Sequence, residues 1–326
     1  MVLISRSDQL AQPVPAVTVI ALSFNHARFL HECLNSIAAQ TLQDFQLIVT
    51  DDCSEDDSAD LIQAWLAMHK PDAIFIRHSR NVGLCKTLNE ALSHSTGEFI
   101  SMIATDDAWE PDKIERQLTV MRQHGGSVAV VYSDASRMDE ASQRLATDFI
   151  EAHTPECACP SGRVFAELAN RNFIPAMATL IRRQALQAVG CYDERLTYED
   201  YDMWLRLAAR YDFIFCPGVV ARYRIVSTSL VRTVFHKPTA AHYHTLYLIC
   251  HRWLPSGQLS PIQYKAWANR MWGAAYGLYQ LGDSRAKACL WQAARHSREP
   301  RALLLALTSS LGISRQTAKR LTRSTE

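Results

Sequence analysis

Apolar and polar positions alternate along the first two thirds of the chain in blocks of two kinds. Runs such as VTVIALSF, FQLIVTDD, AIFIRH, GEFISMIAT and SVAVVYSD are mostly apolar and of strand length. Between them, apolar residues recur at helical spacing, as at Phe29, Leu30, Leu34, Ile37 and Ala38. The same spacing predicts helices over 54–69, 84–94 and 111–123, the last opened by Pro111, where a missing N–H does no harm. Short strand–helix–strand units need crossover connections and therefore a mostly parallel sheet, and apolar strands imply helices on both faces. Past residue 135 the regularity falls. ECACPSG reads as a loop, 162–170 as a short helix, MATLIRR as a strand, and QALQAVG as a helix ended by Gly190. A helix follows over 199–210, then two strands in DFIFCPGVVARYRI joined at Pro217-Gly218. From 238 to 323 the periodicity is helical, with many aromatic residues at core-like spacing. The expected organisation is an arm over 1–15, an α/β domain over 16–232 and a helical appendage over 233–326.

Composition narrows the setting. A formal net charge of +1 gives no global field for nucleic acid, and none is expected as a partner. The nine cysteines are scattered and odd in number, which suits free thiols in a reducing compartment; Cys157 and Cys159 lack the neighbouring ligands a metal site needs. The N-terminal stretch, broken by Arg6 and Asp8, does not read as a signal peptide, and the expectation is a cytoplasmic protein. Arg315, Lys319, Arg320 and Arg323 make a basic end, either a solvated helix terminus or a peripheral contact with anionic lipid. The segment GDSRAKACLWQAARHSREPRALLLAL resembles one helical-hairpin repeat of the tetratricopeptide type, a unit that needs several copies to stack.

In a parallel sheet, ligands bind at the carboxyl ends of the strands. The first strand ends in Ser23-Phe24-Asn25, the second in Asp51-Asp52-Cys53-Ser54, and the fourth in Thr105-Asp106-Asp107. Carboxylates gathered along one edge repel one another, and a divalent cation or a ligand rich in N–H and O–H donors relieves them. A nucleoside diphosphate with Mg²⁺ or Mn²⁺ offers both. An aspartate after a strand also serves as a helix cap, and that reading stands beside the functional one for Asp51, Asp52 and Asn25.

These residues lie in segments that resemble family 2 glycosyltransferases, inverting enzymes with the GT-A fold. The resemblance runs from VTVIALSFNHARFLHECLNSIAAQTLQDFQLIVTDDCSEDDSADLI through NVGLCKTLNEALSHSTGEFISMIATDDAWEPDKIERQL to VGCYDERLTYEDYDMWLRLA and RYRIVSTSL, about residues 16–232. Within it, the spore-coat-polysaccharide type is the nearer likeness. The resemblance implies that Asp52, with Asp51 as alternative, accepts from the N3–H of the base. Ser23 and Asn25 line the nucleotide floor, Asp106 meets the ribose, Asp107 holds Mn²⁺ or Mg²⁺, and Asp200 is the general base. Lys86 and Arg224 are candidate diphosphate contacts, each with a plain surface role as the rival. Asn81 and Gly83 shape the loop before Lys86, and Ser229 belongs to the distal loop. The chain departs from the family pattern at Leu22, Ala104 and Val226, where many members have proline, aspartate and histidine; water or His236 is a substitute for that histidine. Asp202 and Arg206 have the spacing of a helix ion pair.

The implied activity is transfer from a nucleotide-sugar donor, with UDP-sugar preferred, to a glycan or lipid-linked acceptor in bacterial surface polysaccharide assembly. A nucleotidyltransferase is disfavoured because SFNHARFLHECL holds no glycine with which to cradle a triphosphate. The remaining alternative is a catalytically degenerate binding module, motivated by Ala104 and Val226.

Overall fold

The structure, a computed structural model, describes residues 14–155, 159–226, 238–297 and 300–310. Most of the N-terminal arm, Cys157, Ser229, His236 and the basic end from Arg315 to Arg323 lie outside the described residues. Contacts divide the chain into two units, 1–194 with 199–227, and 195–198 with 228–326.

The first unit is built on strands β1 (Val17–Ser23), β2 (Phe45–Asp51), β3 (Ile74–Arg77) and β4 (Phe99–Ala104). They run parallel in the order β3-β2-β1-β4. Helices α1 (Leu30–Ala38), α2 (Ser58–His69) and α3 (Leu84–Ser93) make the crossovers. Val17, Val19 and Ala21 of β1 share one core with Leu30, Cys33, Leu34 and Ile37 of α1 and with Trp65 and Leu66 of α2, which is why the apolar stripe of α1 recurs at three and four residues.

The sheet continues through β7 (Thr179–Arg182), β6 (Val128–Met138), β8 (Asp212–Arg224) and the short β5 (Ala108–Trp109). β7 is antiparallel to β4 and β6, and β5 is antiparallel to β8, so the sheet is mostly parallel with two reversed strands. Helices α4 (Lys113–Arg122), α5 (Phe149–His153), α6 (Phe165–Asn170), α7 (Arg183–Val189) and α8 (Asp200–Ala208) complete the unit. The register of β1 sets Ser23 beside Asp51 and Leu22 beside Ala104, so the three predicted strand ends share one edge.

Two local readings change. Pro217-Gly218 does not join two strands. Tyr132 faces Phe215 and Asp134 faces Val219, so the extra residues on β8 form a bulge, with Gly218 at φ 98°, and the strand continues. α2 begins at Ser58 and not near Ser54, because residues after Asp51 form a loop in which Cys53 takes φ 63°. Strand β5, two residues long, is too short to leave a periodic signal.

The second unit carries α9 (Ala240–Trp253), α10 (Pro261–Leu281), α11 (Ala286–Ser297) and α12 (Pro300–Ser310). α10 has a capping box of Ser260 and Gln263, proline at its start and Gly282 in the left-handed conformation at its end. Tyr247, Trp253, Trp267 and Tyr279 are buried, and Gly277 lets the ring of Tyr243 approach α10. Among the described residues, no helix is long and apolar enough to cross a membrane.

Gly97, just before β4, has no room for a side chain: an added Cβ would lie 2.5 Å from Thr18 N. Gly97→Ala is expected to destabilise the fold by about 2 kcal/mol through forced backbone displacement, measured by urea unfolding. An unchanged midpoint would contradict this packing.

Candidate functional site

The loops after β1 and β2 are cross-tied by side chains that accept and donate to backbone. The Asp51 carboxylate accepts from Ser54 N at 3.0 Å and Ser54 Oγ at 2.5 Å. Ser54 Oγ in turn accepts from Asn25 N at 2.8 Å, and Asn25 Oδ1 accepts from Glu55 N at 2.8 Å. Asn25 holds φ 58°, a left-handed conformation that asparagine tolerates. Asn25 therefore does not cap α1. The chain leading into α1 is held from the other loop, with His26 N donating to Ser58 Oγ and Ala27 N to Asp56 Oδ2. Ser23 is buried at the end of β1, and its hydroxyl has no hydrogen-bond partner among the described residues.

Asp52 is oriented from a different side. Its Oδ1 accepts from Val82 N at 2.8 Å and faces His78 Nδ1 at 2.7 Å, while Oδ2 accepts from Gly83 N at 2.9 Å. Gly83 stands at φ 90°, which a side chain would strain, and it opens α3. The other ring nitrogen of His78, Nε2, lies 3.1 Å from Glu90 Oε2 on α3. Lys86 is exposed on the first turn of α3, and Asn81 is exposed in the loop before it.

Asp106 and Asp107 follow β4. Asp107 is buried and accepts from Arg224 N at 2.8 Å. Burial, and then the charge of Asp106, push its carboxyl well above the usual range. His26 Nδ1 lies 3.1 Å from Thr105 Oγ1, and its Nε2 lies 3.7 Å from Asp106 Oδ2. Among the described residues, no group of three or more His, Cys, Asp or Glu side chains is arranged to hold a metal. The Asp106–Asp107 pair still fits a hard divalent cation of the kind that takes one or two carboxylates and completes its shell with water and phosphate.

Arg224 departs from its expected role. It is 1% exposed and lies across the ring of Phe29, 4.5 Å from the centroid. Its guanidinium donates to Asp106 O at 2.7 Å, Asp139 O at 3.1 Å, Ser142 Oγ at 2.8 Å and the carboxylate of Glu32. Buried, and with four of its five side-chain donors on protein acceptors, Arg224 braces the acidic edge and does not present an exposed cation to phosphate. Arg222 reinforces the brace, donating to Glu32 Oε1 at 2.8 Å.

Asp200 opens α8. Its carboxylate accepts from Tyr201 N at 2.6 Å and from Asn172 Nδ2 at 3.0 Å, and burial raises its pKa. Glu199 beside it is pushed up to about 8, by burial first and then by the charge of Asp200. Tyr223 stands on β8 between Arg222 and Arg224. Its phenol is pushed up by burial and then by the charges of Asp107, Asp106 and Asp200, so all three carboxylates act on one ring. Asp202 forms the expected helix pair, with Arg206 Nε at 2.7 Å, and Arg206 also donates to Val189 O and Cys191 O, fixing α8 to the end of α7.

Sequence reasoning missed His78, Glu90, Glu32, Asn172 and Tyr223. Glu32, Glu90 and Tyr223 lay inside the resembling segments without a role of their own there, while His78 and Asn172 lay outside them.

The family model for glycosyl transferase family 2 matches residues 18–190. The match covers more than half of the chain, and the chain belongs to this family, which makes it a transferase. An uncharacterized glycosyltransferase of Rickettsia prowazekii is 26% identical over 231 residues, 68% of each chain. TuaG of Bacillus subtilis, a glycosyltransferase named provisionally for teichuronic acid biosynthesis, is 26% identical over 220 residues, 66% of this chain and 81% of its own. Other relatives are much longer: the chain spans 31% of one from Rickettsia felis. Among solved structures, S. aureus TarS 1–349 in complex with UDP-GlcNAc aligns with a TM-score of 0.61 at 16% identity, covering 91% of this chain and 88% of that one. The mannosyltransferase PcManGT of Pyrobaculum calidifontis, in complex with GDP-Man and Mn²⁺, aligns with a TM-score of 0.56 at 19% identity, covering 95% and 83%. The mixed sheet flanked by helices is of the GT-A type.

The brace makes its own prediction. Arg224→Lys keeps one charge but cannot span the same acceptors, and it should destabilise the protein by about 3 kcal/mol in chemical unfolding. A loss below about 0.5 kcal/mol would show that the guanidinium network is not structural in this way.

Proposed function

We propose that the chain is an inverting, metal-assisted glycosyltransferase that moves a sugar from a UDP-sugar onto a hydroxyl of a glycan or lipid-linked acceptor. The observation that carries the reading is that Asp52 and the Asp106–Asp107 pair follow β2 and β4 on either side of β1, and that the charges of Asp106, Asp107 and Asp200 all bear on the Tyr223 phenol. Asp52 accepts the imide N–H of the base, the Asp51–Ser54–Asn25 network and Ser23 form the nucleotide floor, and Asp106 meets the ribose. Asp107, with Asp106 beside it, would hold Mn²⁺ or Mg²⁺, which when bound offsets charge on the departing diphosphate. Lys86, exposed beside the Asp52 loop, is the candidate free cation for phosphate.

Asp200 takes the proton of the acceptor hydroxyl as that oxygen attacks the anomeric carbon opposite the diphosphate. Its raised pKa makes it a stronger base than an exposed aspartate. UDP as the donor nucleotide is supported by TarS complexes with UDP-GlcNAc and with UDP, and a cation by the Mn²⁺ in PcManGT. Surface polysaccharide or glycoconjugate assembly is supported by the likeness to TuaG. The work would take place in the cytoplasm.

Calorimetric titration with UDP is expected to give binding that strengthens about tenfold or more with Mn²⁺, as for a ligand whose phosphates complete a metal shell, and Asp107→Ala should remove the metal dependence. No binding of UDP, dTDP or GDP in either condition would overturn the reading and favour a degenerate module.

Asp200→Asn should lower sugar transfer by roughly 100- to 10,000-fold while leaving UDP binding intact. Because the base works only when ionised, the wild-type rate should fall as pH drops through the raised Asp200 pKa. That acidic limb should lie above the ordinary aspartate range. A rate that stays flat down to that ordinary range would exclude Asp200 as the base.

A further inference from the structure

We propose that His78 and Glu90 set the nucleobase selectivity of the site by filling one oxygen of Asp52. The inference rests on the reading of Asp52 as the base-contacting carboxylate. Relatives by fold are seen with both UDP-GlcNAc and GDP-Man, so the fold alone does not choose the base.

The argument is a count of acceptor positions. An ionised carboxylate only accepts hydrogen bonds and has about four lone-pair positions, two on each oxygen. Asp52 Oδ1 already receives Val82 N at 2.8 Å and His78 Nδ1 at 2.7 Å, which fills it. Oδ2 receives Gly83 N at 2.9 Å and keeps one position. His78 cannot readily turn away, because its Nε2 is held at 3.1 Å by Glu90 Oε2 and the ring is 8% exposed. In the tautomer that carries its proton on Nδ1, His78 donates to Asp52 Oδ1.

One open position suits one donor. Uracil and thymine present a single imide N–H flanked by carbonyl oxygens. Guanine presents two adjacent donors, N1–H and its exocyclic amino group, which engage a carboxylate best when both oxygens are open. With Oδ1 filled, guanine keeps one of its two bonds and leaves the other donor unmatched. His78 is thus a specificity-determining residue that touches no nucleotide, and Glu90 positions it.

The test is the ratio of UDP to GDP affinity, measured by calorimetry with Mn²⁺ on the full chain. Both ligands carry the same diphosphate, so a general weakening of the site cancels. Wild type should bind UDP, and dTDP with the same imide, about tenfold or more tightly than GDP, the worth of one bond to a charged acceptor. His78→Ala opens Oδ1 and should bring the ratio to within about threefold of unity, while His78→Gln, which retains an N–H donor, should keep most of it. Should His78→Ala fail to fold, Glu90→Ala serves, since it frees the ring and should narrow the ratio in the same direction. An unchanged ratio in the alanine variants, or equal UDP and GDP affinity in wild type, overturns this inference and leaves the proposed function standing. Failure of every nucleotide to bind wild type overturns both.

Discussion

A buried arginine makes the acidic edge of this protein possible. Aspartates at neighbouring strand ends repel, and Asp107 lies where water does not offset its charge. Arg224 answers with its backbone N–H on Asp107 and its guanidinium on Asp106 O, on the Asp139–Ser142 turn and on Glu32 of α1. The end of β8, the start of α1 and the Thr105–Asp107 turn are thereby fixed to one another. A planar fork with several donors can satisfy acceptors in different directions at once, which an ammonium on a flexible stem does poorly.

The two adjacent aspartates after β2 show how position within a turn separates roles. Asp51 folds back on Ser54 and builds the loop that Asn25 joins from the other side. Asp52 points to a second layer made by Val82, Gly83 and His78. One carboxylate is consumed by loop geometry, and its neighbour is oriented but keeps acceptor capacity. Loops cross-tied in this way arrive at a ligand already ordered, so less conformational entropy is lost on binding.

At the start of α8, the Glu199–Asp200 pair keeps its basicity through burial. Burial raises both carboxyl groups and the charge of Asp200 adds to the cost of ionising Glu199, while Asn172 and the backbone of Tyr201 hold Asp200 in place. Asp202, two residues on, is instead absorbed by Arg206 into the α7–α8 junction. A single short acidic run on one helix therefore contains both a candidate base and a structural ion pair.

The sequence by itself determined most of the architecture. Apolar runs such as VTVIALSF and FQLIVTDD have one way to bury both faces, and the helical stripes between them supply the cover. Strand ends at Ser23, Asp51 and Ala104 then meet along one edge, because register follows from parallel pairing. Family motifs marked the aspartates, but tertiary structure decided what each one contacts. Arg224 was legible as a cation near the diphosphate; only the fold shows it enclosed by Phe29, Glu32 and Ser142, residues remote in sequence. The bulge at Pro217-Gly218 reads locally as a turn, and only pairing with β6 carries the strand through it. The placing of His78 and Glu90 left no periodic signal, since an imidazole held between two carboxylates depends on the residue after β3 being brought between the loop after β2 and α3. Patterning fixes which face of an element is buried, through surface area alone. Directed contacts between distant polar groups have no periodicity, and so they appear only when the chain is folded.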